Sequence, residues 1–253
     1  MRDWTGLTKL NLSKFEAVIF DLDSTLTDTQ QYPFIASEWL LNRVGVVSEE
    51  LKTTFLRNLF TNYMTSIRAI VEGAPYRSAS EIVHSSMVDS LEDINQPIDL
   101  GLVTEAVCRF KELHLELSTP RDGVIDILER LKTHGVKIGI LTNSFAGNAR
   151  TILTRLDLIH YFSSIVDCGD SKAFKPMKTA FERVLSDLGS DASKTIYVGD
   201  EYYADMVGAK SVGMTTVWIN FRERSFEDQI TKYGVATSPD FVLDSIKEFG
   251  ELF

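Results

Sequence analysis

The chain has 253 residues, 44% hydrophobic and 25% charged, with a formal net charge of −10. That is ordinary globular composition, long enough for one large domain or for a core with an insert. The acidic balance repels a phosphate backbone without a Lys/Arg cluster to override it, and no apolar run approaches the roughly 20 residues that cross a bilayer, so neither nucleic acid nor a membrane is expected as a partner.

Residues 1–11 carry Arg2, Asp3 and Trp4 and no apolar h-region, so no secretory signal is expected and a cytoplasmic location is inferred. At 15–20 the run FEAVIF reads as a buried strand that stops at an acidic, hydroxyl-rich loop, DLDSTLTDT. From 28 to 118 the rhythm is helical. Apolar residues fall at Phe34, Ile35, Leu40 and Leu41, then at Phe55, Leu56, Leu59, Phe60, Tyr63, Met64 and Ile67. A capping box, Ser78-x-x-Glu81, opens a third helix that packs Ile82, Val83, Val88 and Leu91, and a fourth runs over 102–117. Gly45, Gly73, Pro75, Pro97 and Pro120 mark the joins.

Beyond the block, strand-like runs at 137–143 (KIGILTN), 164–168 (SIVDC), 195–200 (TIYVGD) and 215–220 (TVWIN) alternate with helical patterns at 124–134, 146–156, 178–188 and 202–211. Such alternation predicts βαβ units around a parallel sheet with right-handed crossovers. The expected organisation is an α/β core formed by 1–27 and 119–253, interrupted after its first strand by a helical insert, 28–118. Hinges near Thr27 to Thr29 and Leu117 to Pro120 would let the insert close over the core and exclude water.

In open parallel sheets ligands bind beyond the carboxyl ends of the strands. The residues at those ends are Asp21 and Asp23; Thr142, Asn143 and Ser144; and Gly199 and Asp200, with Asp205 a turn later and Lys175-Pro176 before a helix. Carboxylates that converge repel one another unless a cation joins them, and oxygen-only ligands select a hard ion, here Mg2+. Asp21 and Asp200 suit direct ligation, with Asp205 binding through water or orienting the others. With Lys175 and the cation neutralising a phosphoryl group, Asp21 can attack phosphorus. Asp23 would protonate the leaving oxygen and later accept a proton from water, which calls for a pKa above the usual ~3.9. Thr142 and Asn143 are donors suited to the non-bridging phosphate oxygens. The expected partner is a small phosphate ester.

At these residues the chain resembles the haloacid dehalogenase superfamily of phosphohydrolases. Members show D-x-D-x-T, here Asp21 to Thr25; a Thr or Ser ending the second strand, here Thr142; a lysine before a helix, here Lys175; and G-D-x-x-x-x-D, here Gly199-Asp200 to Asp205. The resemblance implies a Rossmann-like core with a C1-type α-helical cap, Asp21 as nucleophile, and Asp23 as acid/base and as a metal ligand through its backbone carbonyl. One departure is that the common K-P-x-P reads Lys175-Pro176-Met177-Lys178.

Three rivals remain at this level. A dehalogenase proper needs no acid two residues after its nucleophile, so Asp23 argues against it. A sugar phosphomutase shares all the core motifs. A phospho-accepting receiver is disfavoured by the long helical insert. Cys108 and Cys168 are expected to be small buried hydrophobes without a disulfide or metal, and His84, His114, His134 and His160, lacking paired spacing, to be surface or helix-end residues. Arg77 is expected to be a solvated loop arginine, with a reach to a substrate anion as the alternative.

Overall fold

The computed structural model describes residues 9–29 and 31–253; most of the stretch expected to lack a secretory signal lies outside the described residues. No helix among them is long and apolar enough to cross a membrane. Among the described residues a 3-10 turn (Leu12–Lys14) precedes β1 (Ala17–Phe20), whose residues are all buried. The short β2 (Thr27–Asp28) leads into four helices, α1 (Tyr32–Arg43), α2 (Glu49–Val71), α3 (Ala79–Asp93) and α4 (Leu100–Leu117), and β3 (Thr119–Pro120) leads back. Then come α5 (Val124–Thr133), β4 (Lys137–Thr142), α6 (Asn148–Arg155), β5 (Ser164–Asp167), α7 (Cys168–Ser171), α8 (Lys178–Leu188) and β6 (Thr195–Gly199). After a π-helical turn, Tyr202–Val207, the chain closes with α9 (Gly208–Val212), β7 (Thr215–Ile219), α10 (Phe226–Tyr233), β8 (Phe241–Leu243) and α11 (Ile246–Glu251).

Among the described residues the parallel sheet has six strands in the order β5-β4-β1-β6-β7-β8, one more than the five expected. The extra strand, β8, is three residues long and lies at the edge, too short to register as a buried run. Helices α10 and α11 also escaped the sequence reading. The helix expected over 202–211 instead begins with the π turn and becomes α-helical only at Gly208.

Because both faces of the sheet are covered, its strands read as continuous apolar runs. Val18, Phe20, Ile140 and Val198 point into one core layer with α5, α6 and α11, while Ile19, Leu141, Tyr197 and Trp218 point into the other with α8 and α9. The four helices 32–117 enclose a third cluster of their own, built on Leu40, Phe55, Ile82, Met87 and Val103, which also takes in Phe145, Cys168 and Phe174 from the sheet side.

The helix starts follow from capping. Ser78 and Glu81 close both bonds of the predicted box, with Ser78 N–H donating to Glu81 Oε2 at 2.7 Å and Glu81 N–H to Ser78 Oγ at 3.3 Å. Asp99 accepts from Gly101 and Leu102 N–H, which starts α4 at Leu100, two residues before the expected point. Cys168 is buried as expected, but Cys108 is exposed on α4, and both are free thiols.

Phe20, fully buried, meets Phe249 edge-on at 5.8 Å between ring centroids. Removing its ring from the centre of the sheet leaves a cavity no neighbour can fill. Phe20→Ala should lower unfolding stability by about 3–5 kcal/mol, read as a shifted urea midpoint at unchanged m; a shift worth under 1 kcal/mol would contradict the packing described.

Candidate active site

The parallel ladder carries Asp21 to its place. Its N–H still donates to the Val198 carbonyl at 2.9 Å, so the carboxylate projects from the last bonded position of β1. The chain then folds into a tight loop. Leu26 and Thr27 N–H and the Thr27 hydroxyl all converge on the Leu22 carbonyl, and Ser24 takes the left-handed conformation at φ 68° while donating to the Thr27 carbonyl. Thr25, fully buried, sits with Oγ1 3.1 Å from Asp21 Oδ2 and 3.2 Å from Asp200 Oδ1.

Lys175 binds the cluster together. Its Nζ donates to Asp21 Oδ1 at 2.6 Å, to Asp205 Oδ1 at 2.8 Å and to the Tyr197 hydroxyl at 3.0 Å, which uses all three of its hydrogens. Asp205 is anchored further by Glu201 N–H at 2.9 Å. Gly199 makes this approach possible, since a Cβ there would lie 2.3 Å from Asp205 Oδ2. Asp200 pairs with Arg222, a residue the sequence reading did not single out, and Arg222 also reaches Glu201 at 3.2 Å and Ser24 at 3.4 Å.

Oxygen atoms of Asp21, Asp200 and Asp205 lie within 4.8 Å of one another, all buried. Three close carboxylates carry more negative charge than Lys175 neutralises, and their donor set is oxygen only, so the site fits a hard divalent cation. The Asp23 side chain stands outside that set. Its Oδ1 faces His114 Nε2 at 2.6 Å, and its Oδ2 accepts from Thr142 at 3.4 Å. Any part for Asp23 in metal binding therefore falls to its backbone carbonyl, as the resemblance implies.

Asn143, expected to donate to phosphate, lines the cavity and also holds the neighbouring backbone. Its Oδ1 accepts from Lys175 N–H at 2.8 Å and its Nδ2 donates to the Lys175 carbonyl at 3.1 Å, so it clamps the lysine's backbone in place. Arg77 turns back onto its own helix, donating to the Glu81 carbonyl and to Ser85 Oγ.

His114 departs furthest from expectation. It lies in the last turn of α4, the helix-end position anticipated, but it is fully buried and its ring turns inward to the site. Asn148 Nδ2 lies 3.0 Å from its Nδ1 and also donates to the Lys111 carbonyl at 3.3 Å, which orients the amide nitrogen toward the ring. Nε2 therefore faces Asp23, while Nδ1 faces the Asn148 amide.

Electrostatics follow from the same contacts. Burial raises the Asp23 carboxyl, but the pull of His114 and its hydrogen bond, then Lys175, bring it below its ordinary value, the reverse of the expected direction. Burial raises Asp21 well above its ordinary value, opposed by Lys175 and assisted by Asp205 and Asp200. Asp200 is pushed up to about 7 by burial and by Glu201 and Asp205, against Arg222.

These raised carboxyls make a stability prediction. The folded chain retains protons that the unfolded chain has released between its ordinary 3.8 and about 7, so without metal the fold loses stability as pH rises through that window. A divalent cation replaces those protons. Millimolar Mg2+ should therefore raise Tm more at pH 8 than at pH 5.5, and equal shifts at both would contradict cation binding at these carboxylates.

Comparison with known proteins agrees with this geometry. A family model described as haloacid dehalogenase-like hydrolase matches residues 15–213. The pyrimidine 5'-nucleotidase YjjG of Escherichia coli is 26% identical over 94% of this chain and 98% of its own. The pyrophosphatase PpaX of Bacillus cereus is 26% identical over 93% and 94% respectively. Among solved structures, the HAD-hydrolase YfnB of Bacillus subtilis, bound to magnesium, superposes with a TM-score of 0.76 at 22% identity, covering 94% of this chain and 98% of YfnB. A matched stretch that includes Asp21, Asp23, Thr142, Lys175, Asp200 and Asp205, on a sheet of the same fold, places this chain in the family of haloacid dehalogenase-like hydrolases.

Proposed function

We propose that the chain is a Mg2+-dependent phosphatase of small phosphorylated metabolites in which Asp21 is the nucleophile. The observation that carries this reading is the convergence of Asp21, Lys175, Asp200 and Asp205 on one buried point, with Asp23 held apart from them by His114 and Thr142. Two carboxylates two residues apart thus have different surroundings and suit different tasks.

In the proposed reaction an Asp21 oxygen attacks phosphorus in line, and the ester P–O bond breaks to leave an aspartyl-phosphate. Asp23 gives its proton to the departing alkoxide. It is ionised in the free chain, but a phosphate dianion alongside raises its pKa, so the proton is taken up when substrate is present. In the second step Asp23 accepts a proton from water, the resulting hydroxide attacks phosphorus, and Asp21 is released with inorganic phosphate. Lys175 and the Thr142 hydroxyl face the oxygens that gain charge. Asp21 and Asp200, with Asp205 behind them and the Asp23 carbonyl beside them, would hold Mg2+, which supplies neutralisation of the phosphoryl oxygens when bound. Helices 32–117 would act as the cap over a core formed by 1–27 and 119–253. The named activities of the relatives, on pyrimidine nucleotides and on pyrophosphate, mark the range of leaving groups to be tested. An acid at position 23 supports a phosphatase over a dehalogenase. A cytoplasmic setting is consistent with free thiols at Cys108 and Cys168.

Asp21→Asn should keep the fold, as judged by circular dichroism, and lose phosphatase activity by at least about 1,000-fold. Near-native turnover by that variant would remove Asp21 from its role.

His114 is assigned as a positioning residue for Asp23. His114→Ala should lower kcat by about 10- to 100-fold with little change in KM, and His114→Gln, whose amide can reach the Nε2 position, should recover part of the loss. Equal activity of both variants with wild type would show that the contact is only structural.

A further inference from the structure

The apolar stripe of α2 is not used up by packing within the helical block. Leu56, Leu59, Phe60, Tyr63, Met64 and Ile67 recur every three or four residues on one face, and all six line a cavity of about 560 Å3 whose floor includes Asp21, Lys175 and Asp200. Phe60 is 64% exposed and Phe34, on the same wall, 58%. Large apolar side chains left open above a polar floor are what a ligand's hydrocarbon surface would cover.

That wall carries no charge. Every charged lining residue belongs to the sheet side: Asp21, Asp23, Asp200, Glu201 and Asp205, against Lys175 and Arg222. Neither cation is spare. Lys175 is committed to Asp21, Asp205 and Tyr197, and Arg222 to Asp200 and Glu201. A second anionic group on the substrate would meet carboxylates and hydrocarbon, with no counter-charge to offset its loss of water. Thr29, Tyr32 and Tyr63 are the hydroxyl-bearing residues that the block adds to the lining.

Resting on the phosphatase reading above, we infer that the substrate is the phosphate monoester of an uncharged alcohol with a bulky apolar body, seated against the α2 stripe. Leaving groups that carry a carboxylate or a second phosphate are rejected. A cavity of this volume leaves room for such a body beyond the phosphoryl group.

The test measures phosphate release by the full chain with Mg2+ from acetyl phosphate, 2-phenylethyl phosphate, glycerol 1-phosphate, phosphoglycolate and pyrophosphate, with Asp21→Asn as the blank. The phenylethyl ester should show a kcat/KM above those of glycerol 1-phosphate and phosphoglycolate by on the order of 10- to 100-fold, the discrimination expected for burying one ring. Met64→Lys should narrow its lead over phosphoglycolate by about tenfold or more. Acetyl phosphate needs no contact with the wall, so failure to hydrolyse it would overturn the phosphatase reading and this inference with it. Hydrolysis of acetyl phosphate together with an equal or better rate on glycerol 1-phosphate, phosphoglycolate or pyrophosphate would overturn the inference alone.

Discussion

Everything at this site depends on one buried ammonium group. Lys175 Nζ joins Asp21 to Asp205 across 2.6 and 2.8 Å, in a place where unpaired carboxylates would repel one another strongly. Removing one partner from such a pair leaves an uncompensated charge in the interior, so the arrangement is held by several redundant supports. Asn143 fixes the lysine backbone from both sides, Tyr197 bridges lysine to Asp205, and Gly199 leaves the space in which Asp205 approaches. The sheet supplies the rest, because β1, β4 and β6 are neighbours in the ladder and deliver their terminal residues to one edge.

The core was legible in the sequence for that reason. Strands buried on both faces read as apolar runs, and the polar residues that end them stand out in type. Asp21, Thr142 and Asp200 could be named because each interrupts a run of hydrophobic residues at its carboxyl end. What stayed hidden lacks such a contrast. β8 is too short to show a period, and α10 spans only eight residues, its apolar face reduced to Phe226, Ile230 and Tyr233, none of them fully buried.

His114 and Arg222 were illegible for a different cause. Each reaches the site from an element whose local pattern says nothing about its partner: the histidine lies 91 residues from Asp23, and the arginine 22 from Asp200. A lone histidine on a helix looks the same in sequence whether its ring meets water or a carboxylate. The reversed direction of the Asp23 pKa has the same origin: the acid role calls for a raised value, while the imidazole 2.6 Å away, invisible in the sequence, lowers it. Asn143 shows the opposite case, a residue correctly placed at the site whose hydrogen bonds go to the backbone beside it.

The small antiparallel pairing of β2 with β3 has a geometric consequence. Thr27 lies across from Pro120 and Asp28 across from Thr119, so the chain departs from the sheet and returns to it at points about one strand spacing apart, roughly 4.8 Å. A helical module of different size, provided its ends meet at that distance, can be grafted there without altering the register of any strand in the main sheet. On the proposed division of labour, the helices that would contact the leaving group join the residues that would do the chemistry at this one splice point, so the first can change in sequence without moving the second.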